Sequence, residues 1–289
     1  MADKTLNFLY VVSRKLAQWT KQEALWNRAV QWYVWHTHAL PGRQYGGKLL
    51  FQITGLARSG TTLFTGLINS HPEVFCLSEP YREWVLHGYV TVKFPSEGTQ
   101  IFRMHPARVL ERVGQLLPHP YLGFKETYYA QGHNTLSNWY FFERNVQKGM
   151  PTVAIVRDPR DNWRSVQKYM GRSNPLHLRR PVTDRFMNTW NTFVTWALDN
   201  DGICLVRYED LVQQPVETME RVFRHIGLPV VEVQPAVTGV SGIGDPAALQ
   251  GGTLSARSIG SYSAELDPED VRRIENTCGS LMRMLGYLS

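Results

Sequence analysis

From Lys48 onward, short apolar runs alternate with stretches whose apolar residues recur every three or four positions, the pattern of a parallel sheet joined by crossover helices. Leu49 to Thr54 predicts the first strand, with Thr62 to Asn69 as the helix after it. Val74 to Leu77, Tyr121 to Phe124, Thr152 to Val156 and Ile203 to Val206 are further short strands. Helices are predicted at Asp161 to Met170, Asp184 to Leu198 and Pro215 to Ile226, the last closing on Gly227 with Pro229 beyond. Asp267, followed by Pro268 at the first helical position and Asp270 at the third, opens a final helix running to about Leu285, before Gly286. Gly and Ser crowd residues 239–263, which predicts a long mobile loop of the kind that is usually functional in a compact domain.

Before this alternating region, Leu9, Val12, Leu16, Trp19, Trp26, Val30 and Tyr33 recur at helical spacing, interrupted at Glu23 and closed by Pro41 and Gly42. Residues 1–47 therefore read as an amphipathic helical segment and 48–289 as one α/β domain. The tryptophans at 19, 26, 32 and 35 serve packing in the simplest account; a membrane surface or an aromatic substrate wall is the alternative.

The chain has 289 residues, 43% hydrophobic and 19% charged, enough apolar material for a sizeable core and incompatible with collagen-like or disordered classes. A net charge of +6 suits an anionic ligand, but no basic stripe marks a nucleic-acid surface. Cys76, Cys204 and Cys278 lack CxxC spacing and are odd in number, which predicts reduced thiols and a cytoplasmic home. No signal-peptide pattern and no apolar window of about 18 residues occurs, so neither export nor stable membrane insertion is expected.

Two segments carry the chemistry. Gly55 to Thr62 reads G-L-A-R-S-G-T-T, directly after a predicted strand and before a predicted helix. Such a loop turns backbone amides toward a ligand and adds the positive end of the helix, forming a phosphate cradle. Laid on G-x-x-x-x-G-K-[ST], Gly55, Gly60 and Thr62 fit, but Thr61 occupies the lysine position. A magnesium triphosphate is therefore disfavoured, while one 5′-phosphate held by Arg58, Ser59, the threonine hydroxyls and the loop amides fits; an ordinary strand-to-helix turn is the bland alternative. Thr152 to Ser165 reads T-V-A-I-V-R-D-P-R-D-N-W-R-S, placing Arg157 at the carboxyl end of a strand, with Ser165 eight residues later on the next helix. The guanidinium fork and the hydroxyl can hold a second phosphate; an Arg157–Asp158 ion pair is the structural alternative.

Together these segments resemble the sulfotransferase family that uses 3′-phosphoadenosine 5′-phosphosulfate (PAPS) and releases the 3′,5′-bisphosphate PAP. The likeness extends through L-V-R-Y-E-D-L at 205–211, Q-P-V-E-T-M-E-R-V-F-R-H-I-G-L at 214–228, I-G-S-Y-S-A-E-L, and the terminal C-G-S-L-M-R-M-L-G-Y. It implies a P-loop-like three-layer fold with a central, mostly parallel sheet, no metal, and transfer of a sulfuryl group to a hydroxyl or amine. By residue, it implies that Arg58, Ser59, Gly60, Thr61 and Thr62 bind the 5′-phosphosulfate, with Arg58 also in the catalytic set, and that Arg157 and Ser165 bind the 3′-phosphate. Tyr208 would lie near the adenine. Arg257 and Ser258 in A-R-S-I-G resemble the family's late loop over the 3′-phosphate, although Tyr262 stands where relatives often have tryptophan.

In-line displacement at sulfur needs a base for the acceptor and positive charge on the transferring group. The aryl and steroid branch places a histidine two residues after a lysine at the third strand, whereas this chain reads K-E-T, ending at Thr127. The stretch H-P-E-V-F-C-L-S-E-P-Y-R instead resembles the tyrosyl-protein and carbohydrate branches, which makes Glu79 the expected base, with Glu126 and Glu83 as competitors and a capping carboxylate as the structural alternative. Lys125 matches the lysine that stabilises the transferring sulfonate; otherwise it is an exposed lysine. The nine histidines show no metal-ligand pairing, and His36 and His38 face different sides of a helix. The expected acceptor is a small molecule such as a natural product, with a tyrosyl protein or glycan as the alternative. A P-loop kinase or an inactive nucleotide-binding relative stands further off.

Overall fold

The computed structural model describes residues 40, 44–45, 47–128, 139–232, 236–237, 240–242 and 252–289. The expected N-terminal helices, with their four tryptophans, lie outside the described residues. Five parallel strands form the sheet: β1 (Lys48–Leu56), β2 (Val74–Ser78), β5 (Tyr121–Tyr128), β6 (Thr152–Val156) and β7 (Ile203–Arg207), in spatial order β2-β5-β1-β6-β7. Ser241–Gly242 adds a short parallel edge beside β2, and Gln44–Tyr45 pairs antiparallel with β1.

Each strand is apolar on both faces, and alternate residues enter separate cores. On one side Phe51, Ile53, Cys76, Val153, Ile155 and Val206 pack with α1 (Thr61–Ile68) and α8 (Pro215–Ile226). On the other, Leu50, Leu77, Phe124, Ala154 and Val156 meet the remaining helices. These are α2 (Pro80–His87), α3 (Pro106–Leu116), α4 (Trp139–Gln147), α5 (Pro159–Gly171), α6 (Asp184–Asp199) and α9 (Pro268–Met284). A short helix α7 (Tyr208–Gln213) follows β7, and β3 (Val90–Phe94) pairs with β4 (Gly98–Phe102) in a separate hairpin. This is the parallel sheet with crossover helices that the alternation predicts, in the three layers that the resemblance implies.

Caps set most boundaries. The Asp158 carboxylate accepts the Arg160 N–H at 2.9 Å with Pro159 at the first helical position, so α5 begins two residues earlier than expected. Asp267 caps α9 through the Glu269 N–H at 2.8 Å, while the Asp270 carboxylate turns away to accept the Val182 N–H at 2.9 Å. Gly227 ends α8 at φ 83°. Within 239–263, expected as an unstructured loop, Ser241–Gly242 joins the sheet and Ala256–Ser258 forms a 3-10 turn.

The sheet order puts β1 between β5 and β6, so the chain leaves opposite sides of β1 at their carboxyl ends, where open α/β sheets bind ligands. Trp190 of α6, fully buried, props this end by donating its indole N–H to the Arg157 carbonyl at 3.0 Å. Trp190→Ala is expected to cost about 3–5 kcal/mol, read from urea denaturation.

Candidate active site

The loop between β1 and α1 is drawn tight by Ser59, whose backbone N–H and hydroxyl both bond the Leu56 carbonyl, at 3.1 and 2.7 Å. Arg58 takes φ 71° and Gly60 φ 96° to complete the turn. A side chain at Gly60 would be strained by that φ and would collide with the Tyr208 ring. At Gly55 an added Cβ would lie 2.6 Å from Thr61 Cγ2 and 2.7 Å from the Ile155 carbonyl, so the loop closes against β6 only because that position is glycine. Gly60 at the N-cap of α1 offers no side-chain cap, and the first turn carries no acidic residue, so the positive end of the helix is not capped from within its own sequence.

Beside the loop, Arg157 leaves the end of β6 with only 6% of its surface exposed. Its guanidinium donates to the carbonyls of Arg58 at 3.3 Å and Ser258 at 2.7 Å and lies 4.5 Å over the Tyr208 ring. Its buried Nε has no hydrogen-bond partner among the described residues. Among the described residues no carboxylate pairs with Arg157, because Asp158 is taken by Arg160 at 2.6 Å; the expected structural alternative is thereby corrected. Tyr208 bonds the Ser258 hydroxyl at 2.9 Å, and Arg58 Nε donates to Ser165 Oγ at 3.3 Å. Arg157 and Ser165 therefore meet Arg58, and Arg157 joins Tyr208 and Ser258 to them. Arg257 does not join them: it is exposed, and its described hydrogen bond is backbone N–H to Ser255 Oγ at 3.4 Å.

On the other side of the loop, the Lys125 ammonium, fully buried on β5, donates to Glu79 Oε1 at 2.7 Å and reaches Thr62 Oγ1 and Thr127 Oγ1 at 3.4 Å each. It is not the exposed lysine of the bland alternative. Glu79 stands between β2 and α2 and accepts a further bond from Thr127 at 2.6 Å on the same oxygen and from Arg82 at 2.5 Å on the other. Thr61 Oγ1 lies 3.4 Å from Thr127 Oγ1, so the loop, β5 and Glu79 share one polar network.

Residues 150–232, which contain Arg157, Ser165 and Tyr208, match the model of the Sulfotransferase family. The fold matches the crystal structure of mouse sulfotransferase SULT7A1 complexed with PAP, with a TM-score of 0.51, 15% identity, and coverage of 84% of this chain and 86% of that one. The family match thus covers 83 of the 289 residues, and the fold as a whole is similar to that of a sulfotransferase. The sulfotransferase domain from the Synechococcus PCC 7002 olefin synthase aligns equally well, with a TM-score of 0.51, 14% identity, and 84% and 98% coverage. The nodulation protein NoeE of Sinorhizobium fredii (strain NBRC 101917 / NGR234) is 23% identical over 280 residues, covering 83% of this chain but only 66% of its own length.

The three carboxylates weighed as bases have different environments. Burial alone would raise Glu79, but the Lys125 and Arg82 charges and the Thr127 hydroxyl hold it down to about 2. Glu126 is pushed well above the usual carboxylate range, first by burial and then by the ionised Glu79 nearby. Glu83 is also raised by burial and is occupied with the Thr91 N–H at 2.9 Å, away from the network. Sequence reasoning missed Arg82, whose signal was its place three residues after Glu79 at the head of a helix. It also missed Asp161, which accepts the backbone N–H groups of Gly260 at 2.6 Å and Tyr262 at 2.9 Å and so holds the late loop on α5. Among the described residues no helix is long and apolar enough to cross a membrane.

Glu79→Gln leaves the Lys125 ammonium buried without its counter-charge and should cost about 3–5 kcal/mol at pH 7. Because the folded Glu79 lies below its ordinary 4.5, its stabilisation is complete above that value and is lost as pH falls toward about 2. The stability gap between wild type and variant should therefore narrow across that window in stepped-pH urea denaturation; a constant gap would contradict the ion pair.

Proposed function

We propose that the protein transfers a sulfuryl group from PAPS to a hydroxyl or amine of a small molecule, such as a natural product, using Glu79 as general base. The observation that carries this reading is the buried Lys125–Glu79 pair joined through Thr62 to the head of a phosphate-type loop: an anion site, a cation and a carboxylate in one network.

The residues present fit the nucleotide. A buried arginine whose partners are neutral carbonyls and a ring is a cation awaiting an anion, and Arg157 with Ser165 and Ser258 would hold the 3′-phosphate beside Tyr208. Arg58 and the backbone amides at the head of α1, with Thr61 and Thr62, would hold the 5′-phosphosulfate. Thr61 in place of the P-loop lysine weighs against a kinase. When bound, PAPS supplies an activated sulfur whose bond to the 5′-phosphate oxygen breaks as the acceptor atom bonds to it.

The chain's own contribution is proton and charge management. Glu79 takes the acceptor's proton, yet a carboxylate held near 2 by two cations is a weak base. Lys125 resolves this conflict: an ammonium recruited to the transferring oxygens releases Glu79 from its closest cation, and burial then raises the carboxylate's affinity for a proton. The same lysine stabilises the departing charge and strengthens the base. Thr127, at the position of the histidine base in the aryl branch, keeps the carboxylate oriented throughout.

PAP should raise the melting temperature without magnesium, and more than ATP with magnesium does; the reverse order would overturn the donor assignment. Arg157→Ala should weaken PAP binding by about 1.5–3 kcal/mol while changing AMP binding little, measured by calorimetry. Glu79→Gln should lower single-turnover transfer by about 10² to 10⁴ at nearly unchanged PAP affinity. The acceptor is found by incubating metabolite extracts, tyrosyl peptides and glycans with labelled PAPS and identifying the sulfated product by mass spectrometry.

A further inference from the structure

Glu126 is the fully buried carboxyl that the reaction does not use. Along β5, Lys125 and Thr127 point to the face that carries α1, whereas Glu126 follows Phe124 toward α2. Its Oε1 accepts the backbone N–H of Tyr81, in the first turn of α2, at 2.6 Å. Among the described residues it has no ion pair, and 1% of its surface is exposed.

That bond compensates for something Glu79 cannot do. Glu79 is the N-cap residue of α2, the position whose side chain ordinarily accepts an N–H of the first turn, but its own side chain makes no cap bond. Both its oxygens are committed to Lys125, Thr127 and Arg82. It also sits at φ 52°, ψ 47°, a left-handed conformation that a residue with a side chain holds only under constraint. Two adjacent residues of β5 supply the constraint on either side of Pro80: the Lys125 carbonyl accepts the Glu79 N–H at 2.6 Å, and the Glu126 side chain accepts the Tyr81 N–H. The Tyr81 ring packs against Phe124 and Phe141, with centroids 5.8 and 4.9 Å away, which ties the first turn of α2 to β5 and α4.

We propose that Glu126 is a positioning residue: it caps α2 from the neighbouring strand and thereby frees the Glu79 side chain for the reaction while holding its backbone in place. The inference rests on the reading of Glu79 as the base. Burial and the ionised Glu79 nearby favour the protonated form of Glu126, which a neutral amide resembles; this competitor for the base takes a scaffold role instead.

The test compares wild type with Glu126→Gln, which keeps an acceptor oxygen, and Glu126→Met, which keeps the length and apolar burial but leaves the Tyr81 N–H without its partner. Two readouts need neither donor nor acceptor. Amide exchange at Tyr81 should quicken at least about tenfold in Glu126→Met and stay near wild type in Glu126→Gln. The Glu79 carboxyl carbon, assigned by its absence from the Glu79→Gln spectrum, should be flat between about pH 7 and 4 in wild type and Glu126→Gln, and titrate within that range in Glu126→Met. PAPS-to-PAP turnover should then fall about 10- to 100-fold in Glu126→Met, with PAP affinity preserved, and be restored by Gln. Wild-type exchange and titration in Glu126→Met would overturn the proposal, as would a Gln variant as impaired as Met. Full turnover by Glu79→Gln would instead remove the base assignment and leave the exchange and titration results to decide Glu126.

Discussion

The buried ion pair between Lys125 and Glu79 organises the molecule. Moving two charges from water into a protein interior costs several kcal/mol per ion, and only close approach with further hydrogen bonds offsets that cost. Here the offset comes from four elements at once: the carboxylate from the β2–α2 junction, the ammonium and Thr127 hydroxyl from β5, the Thr62 hydroxyl from α1, and the Arg82 guanidinium from α2. An apolar pair of the same volume would fold with less penalty. The arrangement makes chemical sense where the ammonium has a second partner to go to, and an anion drawn to the positive end of α1 would be that partner.

The opposite flank is built on a complementary logic. Arg157 is buried with neutral partners, yet its surroundings are tied down by fully satisfied charges. Arg160 bonds Asp158 and Glu275 and lies 4.2 Å over the Tyr262 ring. Asp161 holds the amides of the late loop, and Arg164 and Lys168 both engage Glu265 just beyond it. Successive turns of α5 thus clamp the segment whose Ser258 carbonyl meets Arg157. Among the described residues Arg160, Arg164 and Lys168 are neutralised by carboxylates, whereas Arg157, beside the phosphate-type turn, meets carbonyls and a ring.

The sheet was legible because its strands are short, doubly buried and apolar, and β6 and α8 fall at the expected residues. α2 was not, since Pro80 to His87 has little apolar periodicity and is fixed from outside by Glu126 and by aromatic packing on Tyr81. The β3–β4 hairpin was missed because Pro95 to Glu97 lacks a two-residue Asn-Gly or Asp-Gly turn and the outer strand, Gly98–Phe102, is largely exposed. At the site, the loop, Arg157 and Ser165 stood out by residue type and spacing, and Glu79 and Lys125 by the resemblance of their surrounding sequence to the sulfotransferase family. Arg82, Asp161 and the capping role of Glu126 depend on which side chain tertiary contacts deliver to which backbone group, and a single chain's letters do not encode that.

Backbone strain marks both halves of the site. Among the described residues, Arg58 and Glu79 are the two non-glycine positions with positive φ, one in the phosphate-type loop and one at the head of α2. Each such residue costs about 1–3 kcal/mol and persists only when its surroundings over-determine it. For Arg58 the restraint is Arg157 on its carbonyl, with Asn162 on the adjacent Ala57 carbonyl at 3.0 Å. For Glu79 it is the Lys125 carbonyl on its N–H and Glu126 on the next turn. In both cases the strained backbone is secured from the neighbouring strand, by Arg157 just beyond β6 and by Lys125 and Glu126 within β5. The side chains thereby aimed, a guanidinium and a carboxylate, are preset by the sheet, so binding need not supply the ordering free energy that a flexible loop would require.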